Sequence, residues 1–200
     1  SLLQINAIIL QPNNPFKWAA GWNSPIYCDN RKTLSYPKIR NFIRTSLSSA
    51  INNHYKGANV IAGVATAGIP HGALVAEELG LPFIYVRAKA KEHGKQNLIE
   101  GYFEKGQTVV LVEDLISSGK SSLEAVEALQ KEGLNVKGLI SIFTYGLDAA
   151  TKNFKKEDCE FISLCNYSTL LKEAVKQDYI KQADLKVLEK WSENPSKWNK

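Results

Sequence analysis

Apolar residues along this chain gather in short runs separated by polar, helix-spaced stretches. Val60-Ile61-Ala62-Gly63-Val64, Phe83-Ile84-Tyr85-Val86, Val109-Val110-Leu111-Val112, Val136 to Phe143 and Phe161 to Leu164 have the length and composition of buried strands. Between them the spacing predicts a helix from Ala73 to Leu79 after Gly68, another from about Lys120 to Lys131, and one or two more over 166–191. Ser35 before Pro37 reads as a helix start, with apolar positions Ile39, Phe42, Ile43, Leu47 and Ile51 carrying that helix to near Tyr55. Leu2, Leu3, Ile5, Ile8 and Ile9 predict a short amphipathic helix. Residues 12–32, with Pro12, Pro15 and Pro25, read as irregular or β, and the polar stretch 88–101 as a long loop. Strands alternating with helices predict an α/β fold with a mostly parallel central sheet flanked by helices. No repeat or linker divides the 200 residues, so the expectation is one domain.

Composition adds constraints to that picture. With 44% hydrophobic and 22% charged residues the chain can build an ordinary core. The net charge of +5 is spread along the sequence. It fits solvated basic faces or attraction of a polyanionic small molecule. Nucleic acid is disfavoured, because no Lys/Arg run interleaved with aromatics occurs. Cys28, Cys159 and Cys165 are odd in number and lack zinc-type spacing, which argues for a reducing, cytoplasmic setting. No apolar run is long enough for a membrane span, and Ser1-Leu2-Leu3-Gln4 lacks the basic-then-apolar pattern of a secretory signal.

The segment with the clearest chemistry is Val109-Val110-Leu111-Val112-Glu113-Asp114-Leu115-Ile116-Ser117-Ser118-Gly119-Lys120-Ser121. Four apolar strand residues end in two carboxylates, then a Ser/Gly turn opens a helix. Ligands of open α/β sheets bind at the carboxyl ends of strands. A helix N-terminus with hydroxyls suits phosphate, and Gly119 permits close backbone approach. Ionised carboxylates only accept hydrogen bonds, so Glu113 and Asp114 beside a phosphate cradle point to a phosphorylated sugar with free hydroxyls. A nucleotide P-loop is excluded, since its first glycine is missing. The bland alternative is a strand end followed by a capped helix.

Glu113 to Ser121 resembles the motif with which type I phosphoribosyltransferases bind PRPP. Three further segments resemble the orotate branch of that family. They are Phe16 to Arg31 with its core Ser24-Pro25-Ile26-Tyr27-Cys28-Asp29-Asn30-Arg31, Gly63 to Gly72 with Ala65-Thr66-Ala67-Gly68, and Tyr85 to Gly94 closing at Ile99-Glu100-Gly101. The resemblance implies the type I phosphoribosyltransferase fold, with a small N-terminal hood formed mainly from about 1–35 plus C-terminal elements. It implies transfer of the phosphoribosyl group of PRPP to orotate with Mg²⁺. Leu115, Ile116, Ser117, Ser118, Lys120 and Ser121 would cradle the 5-phosphate, Asp114 would reach the metal only through PRPP and water, and Thr66 and Ala67 would meet pyrophosphate.

The resemblance also implies a homodimer in which loop 87–101 completes the neighbouring site. Arg87, Lys91 and His93 would act there on the leaving group, while Lys89 helps locally. In residue terms, Arg87, Lys89, Lys91 and His93 alternate, so an extended segment would present four cationic or donor groups on one face. Such groups stabilise charge that builds on departing pyrophosphate. His93 is either its proton donor or a hydrogen-bond donor only. His71 is expected to pack or cap. Tyr27, Cys28 and Ser117 fall where the family meets orotate. Two basic residues of other branches are Ala19 and Tyr145 here, so Arg31, or backbone amides near Tyr27 and Cys28, would take the orotate carboxylate. Two rivals are transfer to another base, and a PRPP-sensing regulator without catalysis. The rest of the motif set and the retained Arg87, Lys91 and His93 weigh against both.

Overall fold

The computed structural model describes residues 2–18, 21–89 and 98–198. Four short strands open the chain: β1 (Ile8–Leu10), β2 (Phe16–Lys17), β3 (Asn23–Ser24) and β4 (Ile26–Cys28). A 3₁₀ turn (Asn30–Ser35) and helix α1 (Pro37–His54) follow. The rhythm then runs β5 (Val60–Val64), α2 (Gly68–Leu79), β6 (Phe83–Val86), β7 (Ile99–Glu100), β8 (Thr108–Ile116), α3 (Lys120–Lys131), β9 (Asn135–Thr144), α4 (Asp148–Lys156) and β10 (Phe161–Asn166). Helices α5 (Tyr167–Lys176) and α6 (Leu185–Glu193) close it.

Six strands form one sheet in the order β10-β9-β8-β5-β6-β7. Every neighbouring pair is parallel except β6–β7. From β5 the chain moves outward to β6 and β7, then returns to the other side of β5 as β8 and moves outward again through β9 and β10. The gap between the ends of β5 and β8 is therefore a topological switch point, where open α/β sheets form a crevice.

Alternation of side chains sorts the core into two layers. Val60, Ala62, Val64, Val109 and Leu111 pack with α3 residues Ala125, Val126 and Leu129 on one face. Ile61, Val110, Val112 and Ile140 meet Ile43, Leu47 and Ile51 of α1 and Val75 of α2 on the other. A third cluster joins the two ends of the chain. Ile8, Leu10 and Ile26 of the N-terminal strands pack with Tyr145, Tyr167, Leu170 and the wholly buried Trp191. Trp191 lies 5.6 Å, ring to ring, from both Trp18 and Tyr145.

Several expectations are corrected. The first residues do not form a helix: residues 2–6 make a turn in which Asn6 has φ +52°, and Ile8–Leu10 is a strand paired antiparallel with Ile26–Cys28. Its burial alternates, so the spacing that matched a helix also serves a strand whose partner is distant in sequence. Ser35 ends the 3₁₀ turn rather than capping α1, which starts on Pro37 with no side-chain cap. Strand β8 does not stop before the acids; its pairing with β9 runs on through Leu115 and Ile116. The stretch 88–101 is not all loop, because Ile99–Glu100 adds β7 to the sheet edge. Helix α4 buries only Ala150 and Phe154, too sparse a pattern to announce itself.

Trp191→Ala should lower the unfolding free energy by about 3–5 kcal/mol, the usual cost of emptying a buried aromatic site. Urea unfolding followed by circular dichroism measures this; a change below about 1 kcal/mol would show that α6 does not hold the N-terminal strands.

Candidate active site at the switch point of the sheet

The crevice between β5 and β8 is a cleft of about 310 Å³. It is lined by Cys28, Asp29 and Arg31 from the N-terminal segment, Ala65, Thr66 and Ala67 after β5, and Glu113, Asp114, Leu115 and Ser121 along β8 and into α3. Two glycines set its walls. A Cβ on Gly68 would stand 2.4 Å from the Val112 carbonyl oxygen, so only glycine lets α2 begin this close to β8. Gly119 has φ +76°, and a Cβ there would meet the Phe154 ring at 2.4 Å. Its glycine requirement thus comes from backbone conformation and from α4 packing, which adds a structural reason to the ligand-based one.

Glu113 is only 5% exposed. Its Oε1 accepts the Asp114 backbone N–H at 3.0 Å and its Oε2 accepts the Ser122 hydroxyl at 3.2 Å. Burial, followed by the charge of Asp114, pushes its pKa well above the usual carboxylate range. Burial raises Asp114 as well. Asp29 behaves oppositely: its hydrogen bond from Arg31 Nε, 2.6 Å, holds it below its ordinary value. The cleft therefore joins one acid already partnered by a cation to two acids whose negative charge burial disfavours.

Beside this floor, α3 begins at Gly119 with no side-chain cap, leaving first-turn amides available to an anion. Asn153 of α4 donates to the Ser118 carbonyl at 2.9 Å and fixes the turn from behind. The Ala65–Thr66 peptide on the opposite wall is cis.

Of the residues expected in the site, Cys28, Arg31, Thr66, Ala67, Glu113, Asp114, Leu115 and Ser121 meet in the one cleft. Arg87 lines an adjoining groove of about 280 Å³ that shares Ala65 and Ser121 with it. There its Nη1 pairs with Glu100 Oε1 at 3.4 Å. Ser117, Ser118 and Gly119 form the turn, while Lys120 is exposed beside Glu124. Ile116 is wholly buried in the sheet's core, so any ligand contact would fall to its backbone. Tyr27 is exposed with its ring against Phe16, and Lys89 is exposed past β6. Lys91, His93 and Ala19 lie outside the described residues. Tyr145 is buried among Trp18, Phe143 and Trp191. His71 is buried on α2, and burial lowers its pKa to about 4, so it is neutral and packs as expected.

Sequence reasoning missed Asp29, Asn30 and Ser122. The first was legible as a side-chain acceptor heading a turn. Ser122 is separated from Ser121 only by burial, and Asn30 only by a contact across 84 residues.

The phosphoribosyl transferase domain family matches residues 35–169. The chain is 57% identical, over its full length and 96% of the relative, to an orotate phosphoribosyltransferase of Cytophaga hutchinsonii. It is 51% identical to one from Listeria innocua, over 95% of that protein. Among solved structures, the orotate phosphoribosyltransferase of Aeropyrum pernix superposes with a TM-score of 0.78 at 26% identity, covering 90% of this chain and 97% of that one. Those full-length identities, with the acid pair and helix N-terminus at the switch point, mean that this chain belongs to the orotate phosphoribosyltransferase family.

Proposed function

We propose that this chain transfers the 5-phosphoribosyl group of PRPP to orotate, forming orotidine 5′-monophosphate and pyrophosphate in pyrimidine biosynthesis. The observation that carries this reading is the pair of adjacent carboxylates, Glu113 and Asp114, lining the cleft beside a helix N-terminus that has no side-chain cap. A ribose diol supplies further hydrogen-bond donors to the acids, and the same sugar's 5-phosphate suits the first-turn amides of α3.

Substitution at the anomeric carbon asks the protein for position and charge more than for covalent chemistry. As pyrophosphate departs, the carbon becomes oxocarbenium-like and the orotate nitrogen attacks it. Glu113 and Asp114 hold the ribose, and Thr66 and Ala67 face the pyrophosphate side. Arg87, Lys91 and His93 neutralise the leaving group, in the site of a partner subunit of a homodimer. Arg31, already at the cleft wall, takes the orotate carboxylate.

The cleft offers a metal a pair of carboxylates and not a cage, which fits a hard cation held mainly by ligand oxygens and water. Mg²⁺ bound there with PRPP would offset charge on the pyrophosphate, with Asp114 reaching it through water. Cys28, Cys159 and Cys165 are unpaired, which suits the cytoplasm, where we place the reaction. Among the described residues no helix is long and apolar enough to cross a membrane.

Loss of orotate absorbance with PRPP and Mg²⁺ tests the reading directly. Chelating the metal should stop turnover, and Lys91→Ala should cut kcat about 100-fold with an unchanged circular dichroism spectrum. Turnover of another base in place of orotate would overturn it. Arg31→Ala should raise the KM for orotate about fivefold; an unchanged KM would hand the carboxylate to backbone amides near Tyr27 and Cys28. Glu113→Gln should abolish PRPP turnover while raising the melting temperature of the ligand-free protein at neutral pH. The folded state holds the Glu113 proton more tightly than the unfolded chain does. From this group, stability therefore falls as pH rises from the ordinary glutamate value through the raised one. Melting curves across that range should show a steeper loss in the parent chain than in the variant, which keeps only the Asp114 contribution; equal slopes would mean that Glu113 is not strained.

A further inference from the structure

Strand β5 pairs with β8 only as far as Val112, so the carbonyl of Asp114 lies beyond the end of that ladder. Its donor comes from the N-terminal segment. Asn30 Nδ2 hydrogen-bonds it at 2.8 Å. Asn30 is wholly buried, and its immediate neighbours Asp29 and Arg31 line the cleft. Its own carbonyl is gripped by the buried Thr33 hydroxyl at 2.6 Å. The same carbonyl faces the imidazole of His71, three residues into the helix that opens after Thr66 and Ala67. One buried residue thus meets all three parts of the cleft, its side chain on the acid-bearing strand and its backbone carbonyl on the N-terminal wall and on the helix behind the opposite wall.

We propose that Asn30 is a positioning residue that sets where the orotate-binding wall stands relative to the acid pair. It touches no substrate. It acts through Asp29 and Arg31 on one side and Asp114 on the other, fixing the approach of the base to the ribose. This inference rests on the phosphoribosyl transfer to orotate proposed above.

Asn30→Ala removes the donor and leaves the ends of the tether free to separate. The KM for orotate should rise about fivefold to tenfold, the scale of one buried hydrogen bond, while the KM for PRPP shifts less than about twofold. A residue with a purely structural role would reduce the folded fraction, lowering kcat and melting temperature with both KM values unmoved, and that outcome overturns the proposal. Should Asn30→Ala fail to fold, Thr33→Val decides, because it keeps the side-chain shape and deletes only the hydroxyl on the Asn30 carbonyl. A raised orotate KM with an unaltered PRPP KM supports the tether, and two unaltered values reject it. Absence of orotate turnover in the parent chain would instead strike the functional reading itself.

Discussion

Two carboxyl groups forced together near the carboxyl end of a buried strand, with the strand continuing past them, are the constraint around which this molecule is arranged. Desolvation penalises each negative charge, and proximity penalises the pair. Protein groups offset only part of this cost: Glu113 takes one backbone N–H and the Ser122 hydroxyl. The arrangement persists because the sheet beneath it is thoroughly packed on both faces, so the local penalty falls on a scaffold able to bear it. A ligand rich in hydroxyls would reduce the same penalty by adding donors to those the protein supplies. Stability and binding are set against each other at this position.

The geometry around the acids sets two opposite electrostatic fields side by side. Acids on the floor repel phosphate, and uncapped amides at the start of α3 attract it. Close approach of α2 to β8 at Gly68, and of the turn to α4 at Gly119, keeps these opposite fields within one crevice. Proximity of acid floor and anion seat follows from backbone packing as much as from side-chain identity.

Much of this was readable along the chain. The apolar runs at 60–64, 83–86 and 109–112 became neighbouring strands, and the Ser/Gly turn opened a helix where expected. Local signals sufficed there, because strand length and turn chemistry are encoded within a few residues. Reading failed where the deciding partner was remote. Leu2 to Ile9 match helical spacing, yet pairing with residues 26–28 makes part of that segment a strand. The acids looked like the end of β8, but pairing with β9 carries the strand past them. Asn30 resembled any polar turn residue until its contact with Asp114 was in view. Helix α4 showed too few apolar positions, although Asn153 and Phe154 brace the Ser/Gly turn.

Strands from the start of the chain are covered by helices from its end, with Trp191 seated between Trp18 and Tyr145. During synthesis the sheet and its acid pair can assemble before the N-terminal wall of the cleft has its backing. Assembly then follows an order written into connectivity: the acid pair and the turn beside it can take shape first, and the N-terminal wall of the cleft is fixed only once α6 has been made.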